Sequence, residues 1–326
     1  MANDDEYIEI LNFISVQINR YFAVLIFIFG TIGNILNCLV LSQRSLRSNP
    51  CASLFLVSSF IDLISILVGL TPRILAGWNL DPTATIDWIC KLRTFITFST
   101  RTMAIWLITL ATIDRWLLSS RDFHRRRLSS LKNAKLGMHV CIILSILSYL
   151  HMFICYEANL IDQPLNCYGK TITCRLATDI IYAIITIFIP STLMIVFGIL
   201  IVLNVRYLRR RARKFSLRSR QSKINKFKLK RTDHHLLRML LVQVTLLIIF
   251  CIPQAVQKFY ITFNLFLTVN ERAEALSQFV YNIEVLLAFI ASGMPFYLYT
   301  LSGGTVFRKA SRKLFKKLYR KFKCCS

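Results

Sequence analysis

Three ionisable residues stand alone inside long apolar stretches: Asp62 in 51–72, Arg101 in 94–113 and Glu284 in 275–307. A charge inside an apolar helix is costly and marks a functional site by default. Arg101 and Glu284 either pair with each other and fix packing, or meet the charged end of a ligand. Thr94, Thr97, Phe98 and Arg101 recur three to four residues apart, so they share one helix face. Gln254, Gln257 and Lys258 come from a second segment, and Tyr281, Asn282 and Glu284 from a third. Converging polar groups of this kind suit a ligand cavity. The chemistry on offer is recognition. His139, His151, His234 and His235 are scattered, and no stretch carries His or Asp paired at i, i+4. No metal, cofactor or enzymatic activity is therefore expected. Of the ten cysteines, Cys38, Cys51, Cys141, Cys155 and Cys251 fall in or beside apolar stretches and read as small packing residues. Cys90, Cys167 and Cys174 lie in polar segments where disulfides are permitted.

The elements that must hold these residues are membrane spans. The chain has 326 residues, 55% of them apolar and 17% charged. Soluble domains are about 45–50% apolar and about 25% charged. Stretches 21–43, 136–156, 180–205 and 239–257 contain no Asp, Glu, Lys or Arg. With the three singly charged stretches they make seven, each near the roughly 20 residues a helix needs to cross a bilayer. Continuous apolar runs of this kind span as helices. The expected fold is an all-α membrane protein, a seven-transmembrane helix bundle plus a short amphipathic membrane-surface helix. The expected segments are an extracellular tail at 1–20, the bundle at 21–303, and a cytoplasmic helix and tail at 304–326.

Charge orients the bundle. Of 41 Lys and Arg, 32 fall in the loops after spans one, three and five and in the tail; 8 fall on the other side. Basic residues mark the cytoplasmic side, so the N-terminus is expected outside. The net charge of +25 is thus an inner-face excess that favours anionic lipid, and nucleic acid is not an expected partner. The outer rim carries Asp81, Asp87, Glu157, Asp162, Asp179, Glu271 and Glu274, which would favour a cationic peptide by steering.

Ordered motifs give the chain a family resemblance. Span one holds Gly33-Asn34 and span two holds Asp62, with Pro72 ten residues on. Cys90 opens span three, and Asp114-Arg115-Trp116 closes it 25 residues later, about one bilayer crossing. Span five holds Pro190, span six Cys251-Ile252-Pro253, and span seven Met294-Pro295-Phe296-Tyr297-Leu298-Tyr299. Phe307, Leu314, Leu318 and Phe322 then recur at helical spacing among basic residues. The whole resembles a rhodopsin-like (class A) G-protein-coupled receptor, in the manner of divergent invertebrate neuropeptide (FMRFamide-type) receptors. It departs from that family in span four, which lacks Trp. It departs also at Cys251, where the family has Trp, and at Met294 and Leu298, where it has Asn and Tyr.

The resemblance implies a plasma-membrane receptor for an extracellular peptide or small-molecule ligand, with a neuropeptide the expected one, that activates a heterotrimeric G protein. It implies an activation switch of Asp62, Asp114, Arg115, Cys251, Pro253, Pro295, Tyr297 and Tyr299. It implies a disulfide from Cys90 to the second outer loop, with Cys167 the favoured partner and Cys174 the alternative. It implies ligand contacts from Thr94, Thr97, Phe98, Arg101, Gln254, Gln257, Lys258, Tyr281 and Glu284. A hairpin over 164–174, turning at Gly169-Lys170, would form a lid, and Cys324 and Cys325 would be palmitoylated. A transporter or channel is the alternative class, although no inverted repeat supports it. A non-signalling decoy of the same fold is the other.

Overall fold

The computed structural model describes residues 2–78, 80–160, 167–218, 231–264, 271–302, 307–314 and 316. Among them, seven helices are long and apolar enough to cross a membrane. They are α1 (Asp5–Leu41), α2 (Pro50–Ala76), α3 (Asp87–Ser119), α4 (Leu131–Cys155), α5 (Ile172–Leu208), α6 (Leu236–Tyr260) and α7 (Glu271–Gly293). The chain resumes as helix over Pro295–Ser302, and α8 covers 307–314. Starts are marked by capping residues. Asn49 accepts from Cys51 N ahead of Pro50, Ser130 from Asn133 N, and Thr171 from Cys174 N.

Apolar side chains face outward as well as inward, as a lipid-embedded bundle requires. Leu25, Phe29, Ile32 and Leu39 line the exposed face of α1; Leu136, Ile143, Leu147 and Ile154 do so on α4. Polar bonds tie the interior. Asn34 Nδ2 donates to Gly30 O and to Ser292 O, each at 3.0 Å, and so joins α1 to α7. Thr102 and Thr186 hydroxyls bond at 2.6 Å and both meet the Tyr149 hydroxyl. That cluster locks α3, α4 and α5, and makes Tyr149 the anchor of a span that has no Trp.

Two helices are longer than their charge-free stretches. Helix continues N-terminally from α1 back to Ala2, through a π-helical turn at Ile18–Phe22. Arg20 leaves that turn to donate to Gly77 O, at 2.8 Å from Nε and 2.5 Å from Nη2. Ser15 accepts from Asn282 Nδ2 at 2.8 Å, fastening the same segment to α7. In α5, helix begins at Ile172, and a π-helical turn at Tyr182–Phe188 precedes Pro190. Proline cannot donate to the preceding turn, and a widened turn is one way the helix absorbs that loss.

Glycines set how closely α1 and α7 approach. A Cβ added at Gly293 would lie 2.9 Å from the Gly30 Cα. Backbone against backbone leaves nothing flexible to yield, so Gly293→Val is expected to cost about 1–3 kcal/mol through overpacking. The check is the thermal midpoint of the purified protein, which should fall by several degrees; an unchanged midpoint would mean the helices separate freely.

Candidate ligand site and switch region

One end of the bundle is closed by a covalently pinned lid. Cys90, near the start of α3, is bonded to Cys167. Cys174 is bonded to Cys155, so that cysteine is a structural link and not the packing residue expected of it. The second bond also relocates the hairpin. β1 (Tyr156–Glu157) pairs antiparallel with β2 (Tyr168–Gly169), and Lys170 N donates to Cys155 O. Gly169-Lys170 therefore ends the second strand; it is not the turn. Burial raises the Tyr156 and Tyr168 phenols above their ordinary pKa, so both stay neutral against the cavity below.

Beneath the lid lies a cavity of about 720 Å³, its open mouth included. Thr94, Thr97, Phe98, Arg101, Gln254, Lys258 and Tyr281 line it, as does Tyr182, whose hydroxyl donates to Gln254 Oε1 at 3.0 Å. Two other expected contacts are elsewhere. Gln257 donates to Ser277 O and Oγ and ties α6 to α7. Glu284 is buried but is not on the cavity wall, and its Oε2 has no hydrogen-bond partner among the described residues. No ion pair joins Arg101 to Glu284. Instead the Arg101 guanidinium lies 5.3 Å from the centre of the Phe289 ring. Among the described residues the buried ion pair at this end is Lys258 Nζ to Asp179 Oδ1, 2.5 Å, with the Tyr281 ring 5.0 Å from the ammonium.

Three of the rim carboxylates, Asp81, Asp87 and Asp179, are committed within the chain. Asp87 pairs with Lys91 at 2.6 Å and accepts from Ala158 N, and Asp81 caps the turn at Thr83. Asp162 lies outside the described residues. The wall also holds Arg73 and Arg93, which look like simple end-of-span charges in the sequence. Pro72 before Arg73, and the face that Arg93 shares with Thr97, were the signals that point inward.

A second, smaller cavity of about 310 Å³, its open side included, lies deeper, lined by Asp62, Gln243, Cys251 and Ser292. Arg101 lines both cavities and is thus the residue between them. Ser58 Oγ donates to Asp62 Oδ2 at 3.4 Å. Tyr299 donates to Gln243 Oε1 and packs between the Phe55 and Phe307 rings. Tyr297 faces away, donating to Phe29 O of α1 at 2.9 Å. Of the two tyrosines, Tyr299 is the one inside the bundle. Pro253 sits within α6, and Pro295 restarts the helix after the break at Met294.

The far end of α3 carries the buried Asp114–Arg115 pair. Arg115 donates to Asp114 Oδ2 from Nε at 3.0 Å and from Nη2 at 2.6 Å, and to Asn49 Oδ1 at 3.1 Å. Ser129 Oγ holds the other carboxylate oxygen at 2.6 Å. Trp116 packs against Phe197 of α5, the ring centres 4.9 Å apart and the planes tilted. In α8, Phe307 is buried against Phe296 and Tyr299, and Gln43 donates to Ala310 O. Leu318, Phe322, Cys324 and Cys325 lie outside the described residues.

This arrangement defines a class: a seven-helix membrane receptor with a lidded cavity at one end and a tethered arginine at the other. The family model described as 7 transmembrane receptor (rhodopsin family) matches residues 33–297, and the chain belongs to that family. It is also similar to the Neuromedin U receptor homolog nmur-2 of Caenorhabditis elegans. The two are 21% identical over 280 residues, which is 79% of this chain and 70% of the relative.

Proposed function

We propose that this protein is a plasma-membrane receptor, N-terminus outside, that binds an extracellular ligand, a neuropeptide in our reading, and activates a heterotrimeric G protein. Family membership supports receptor function, and the relative named as a neuromedin U receptor homolog supports a peptide ligand. The observation that carries the reading is α3 itself. It runs from the lid disulfide at Cys90, past the cavity wall at Arg101, to the tethered Arg115 at the other end.

A ligand under the lid touches α3, α6 and α7 together. It favours whichever packing of those helices it binds best, and the bundle shifts by that differential affinity. Pro253 gives α6 a point about which its inner half can pivot. Movement there would free Arg115 from Asp114 and Asn49 to meet the G protein. The basic segment between α5 and α6, together with α8, would complete the docking face. Segment 1–20 would then be extracellular, 21–303 the membrane domain, and 304–326 cytoplasmic, with Cys324 and Cys325 acylated beside a basic helix.

The test is G-protein activation in cells challenged with a neuropeptide library, with Arg115→Ala as the paired variant. A peptide response that falls roughly tenfold or more in the variant, surface expression being equal, is expected. A surface-expressed wild-type receptor with neither response nor Arg115-dependent basal activity would sink the signalling reading and leave a decoy.

A further inference from the structure

Among the described residues, four cationic side chains line the lidded cavity, Arg73, Arg93, Arg101 and Lys258, and no carboxylate does. Buried charges in a membrane bundle normally find partners. Lys258 has Asp179 at 2.5 Å. Among the described residues, Arg73 bonds only to the neutral Asn282 side chain, to whose oxygen Nη1 donates at 3.0 Å. Arg93 and Arg101 have no acidic group within ion-pair distance among the described residues, and Nε of each is buried without a hydrogen-bond partner. Arg101 is 5% exposed and faces the cavity. Two carboxylates lie beyond the wall. Asp62 faces Arg101 from the inner cavity, and Glu284 lies near Lys258. Neither closes a salt bridge with the three arginines. The wall that faces the ligand therefore carries an excess of positive charge, opposite in sign to the acidic rim above it.

Resting on the receptor reading above, we propose that the cavity takes an anionic group of the ligand, held by the guanidiniums of Arg93 and Arg101 with Arg73 beside them. Guanidinium is the natural partner of such a group. Its planar fork matches a carboxylate with two parallel hydrogen bonds, and binds sulfate or phosphate oxygens as well. The anion neutralises like charges that otherwise repel across a poorly hydrated space. Tyr168 and Tyr281 offer hydroxyls on the same wall. The acidic rim stays compatible with this. It would meet a basic part of the same ligand outside, while the anionic end goes to the bottom of the cavity. Because Arg101 also borders the Asp62 cavity, an anion on its outer side would draw it away from Asp62. That couples ligand occupancy to the inner half of the bundle.

The experiment uses the purified full-length receptor and reads its thermal midpoint with millimolar probes. Glutarate is compared with glutaramide, its neutral isostere, and sulfate forms a second anionic arm. An anion is expected to raise the midpoint by about 3 °C at saturating concentration. Glutaramide should do nothing, and the rise should vanish in Arg93→Gln and Arg101→Gln. A rise with glutarate alone points to a carboxylate on the ligand; one with sulfate alone points to a sulfate or phosphate. Equal effects of glutarate and glutaramide, no anion effect, or an anion effect retained in the variants would overturn the proposal. Arg93 is only half-buried, so its variant folds even if that of Arg101 does not. The same substitution should itself raise the midpoint without any probe by relieving repulsion. No G protein enters this readout, so silence in the signalling assay leaves it standing. Conversely, a receptor that signals but binds both probes alike would overturn the anion site alone.

Discussion

Replacing Lys258 by alanine is expected to cost the folded receptor about 3–5 kcal/mol, because it strands a buried carboxylate. Asp179 and Lys258 are 7% and 5% exposed at the side chain and 2.5 Å apart, and they join α5 to α6 beside the cavity. Without Lys258, Asp179 has no cation within ion-pair distance among the described residues. The converse variant, Asp179→Ala, should be milder. Lys258 keeps the face of Tyr281 and the field of Glu284. The double variant Lys258→Met with Asp179→Leu should recover most of the loss, since apolar residues of similar volume often replace a buried pair at little cost. Thermal midpoints of the four proteins give the cycle. Additive losses in the double variant would show that the two side chains act separately.

The second large effect is expected at the lid. Cys90–Cys167 closes a loop of 77 residues and Cys155–Cys174 one of 19. Removing a native disulfide from a small secreted domain typically costs about 2–5 kcal/mol, and the longer loop is worth about 1 kcal/mol more in chain entropy. Cys90→Ser should therefore lower the midpoint more than Cys155→Ser. It should also weaken ligand binding more, because it releases Cys167 and the adjacent Tyr168, both on the cavity wall. Cys155→Ser leaves Tyr168 anchored through the β1–β2 pairing and the Cys90 bond. The reverse order of effects would mean that β2 is held chiefly by its own hydrogen bonds.

The bundle was legible in the sequence because lipid makes a strict demand: an apolar stretch long enough to span has to be a helix. The far end of α3 was legible because Cys90 and Arg115 stand one membrane crossing apart. Asn34, too, behaves as a buried amide must, bonding two backbone carbonyls. What was hidden involves partners distant in sequence. Cys155 lies at the end of an apolar stretch and reads as filler, and only the fold brings it to Cys174. Lys258 and Asp179 are 79 positions apart, and the sequence reads the first as a ligand contact and the second as a rim charge. Arg73 and Arg93 count equally well as solvated span ends, and their inward aim depends on how α2 and α3 cross. The helix N-terminal to Tyr21 was masked by acidic residues interleaved with Ile8, Leu11 and Ile14, although that spacing is itself helical. Arg101 and Glu284 looked like natural partners, yet Arg101 is turned between two cavities while Glu284 sits behind one of them.

The most direct measurement is nucleotide exchange by a purified heterotrimeric G protein mixed with the receptor in lipid nanodiscs, wild type against Arg115→Ala, with the active peptide present and absent. The expected result is peptide-stimulated exchange by the wild-type receptor and loss of that stimulation in Arg115→Ala, with peptide binding retained by both. Exchange that the peptide stimulates equally in the two proteins, or a wild-type receptor that binds peptide and never stimulates exchange, would contradict a receptor that signals through the far end of α3.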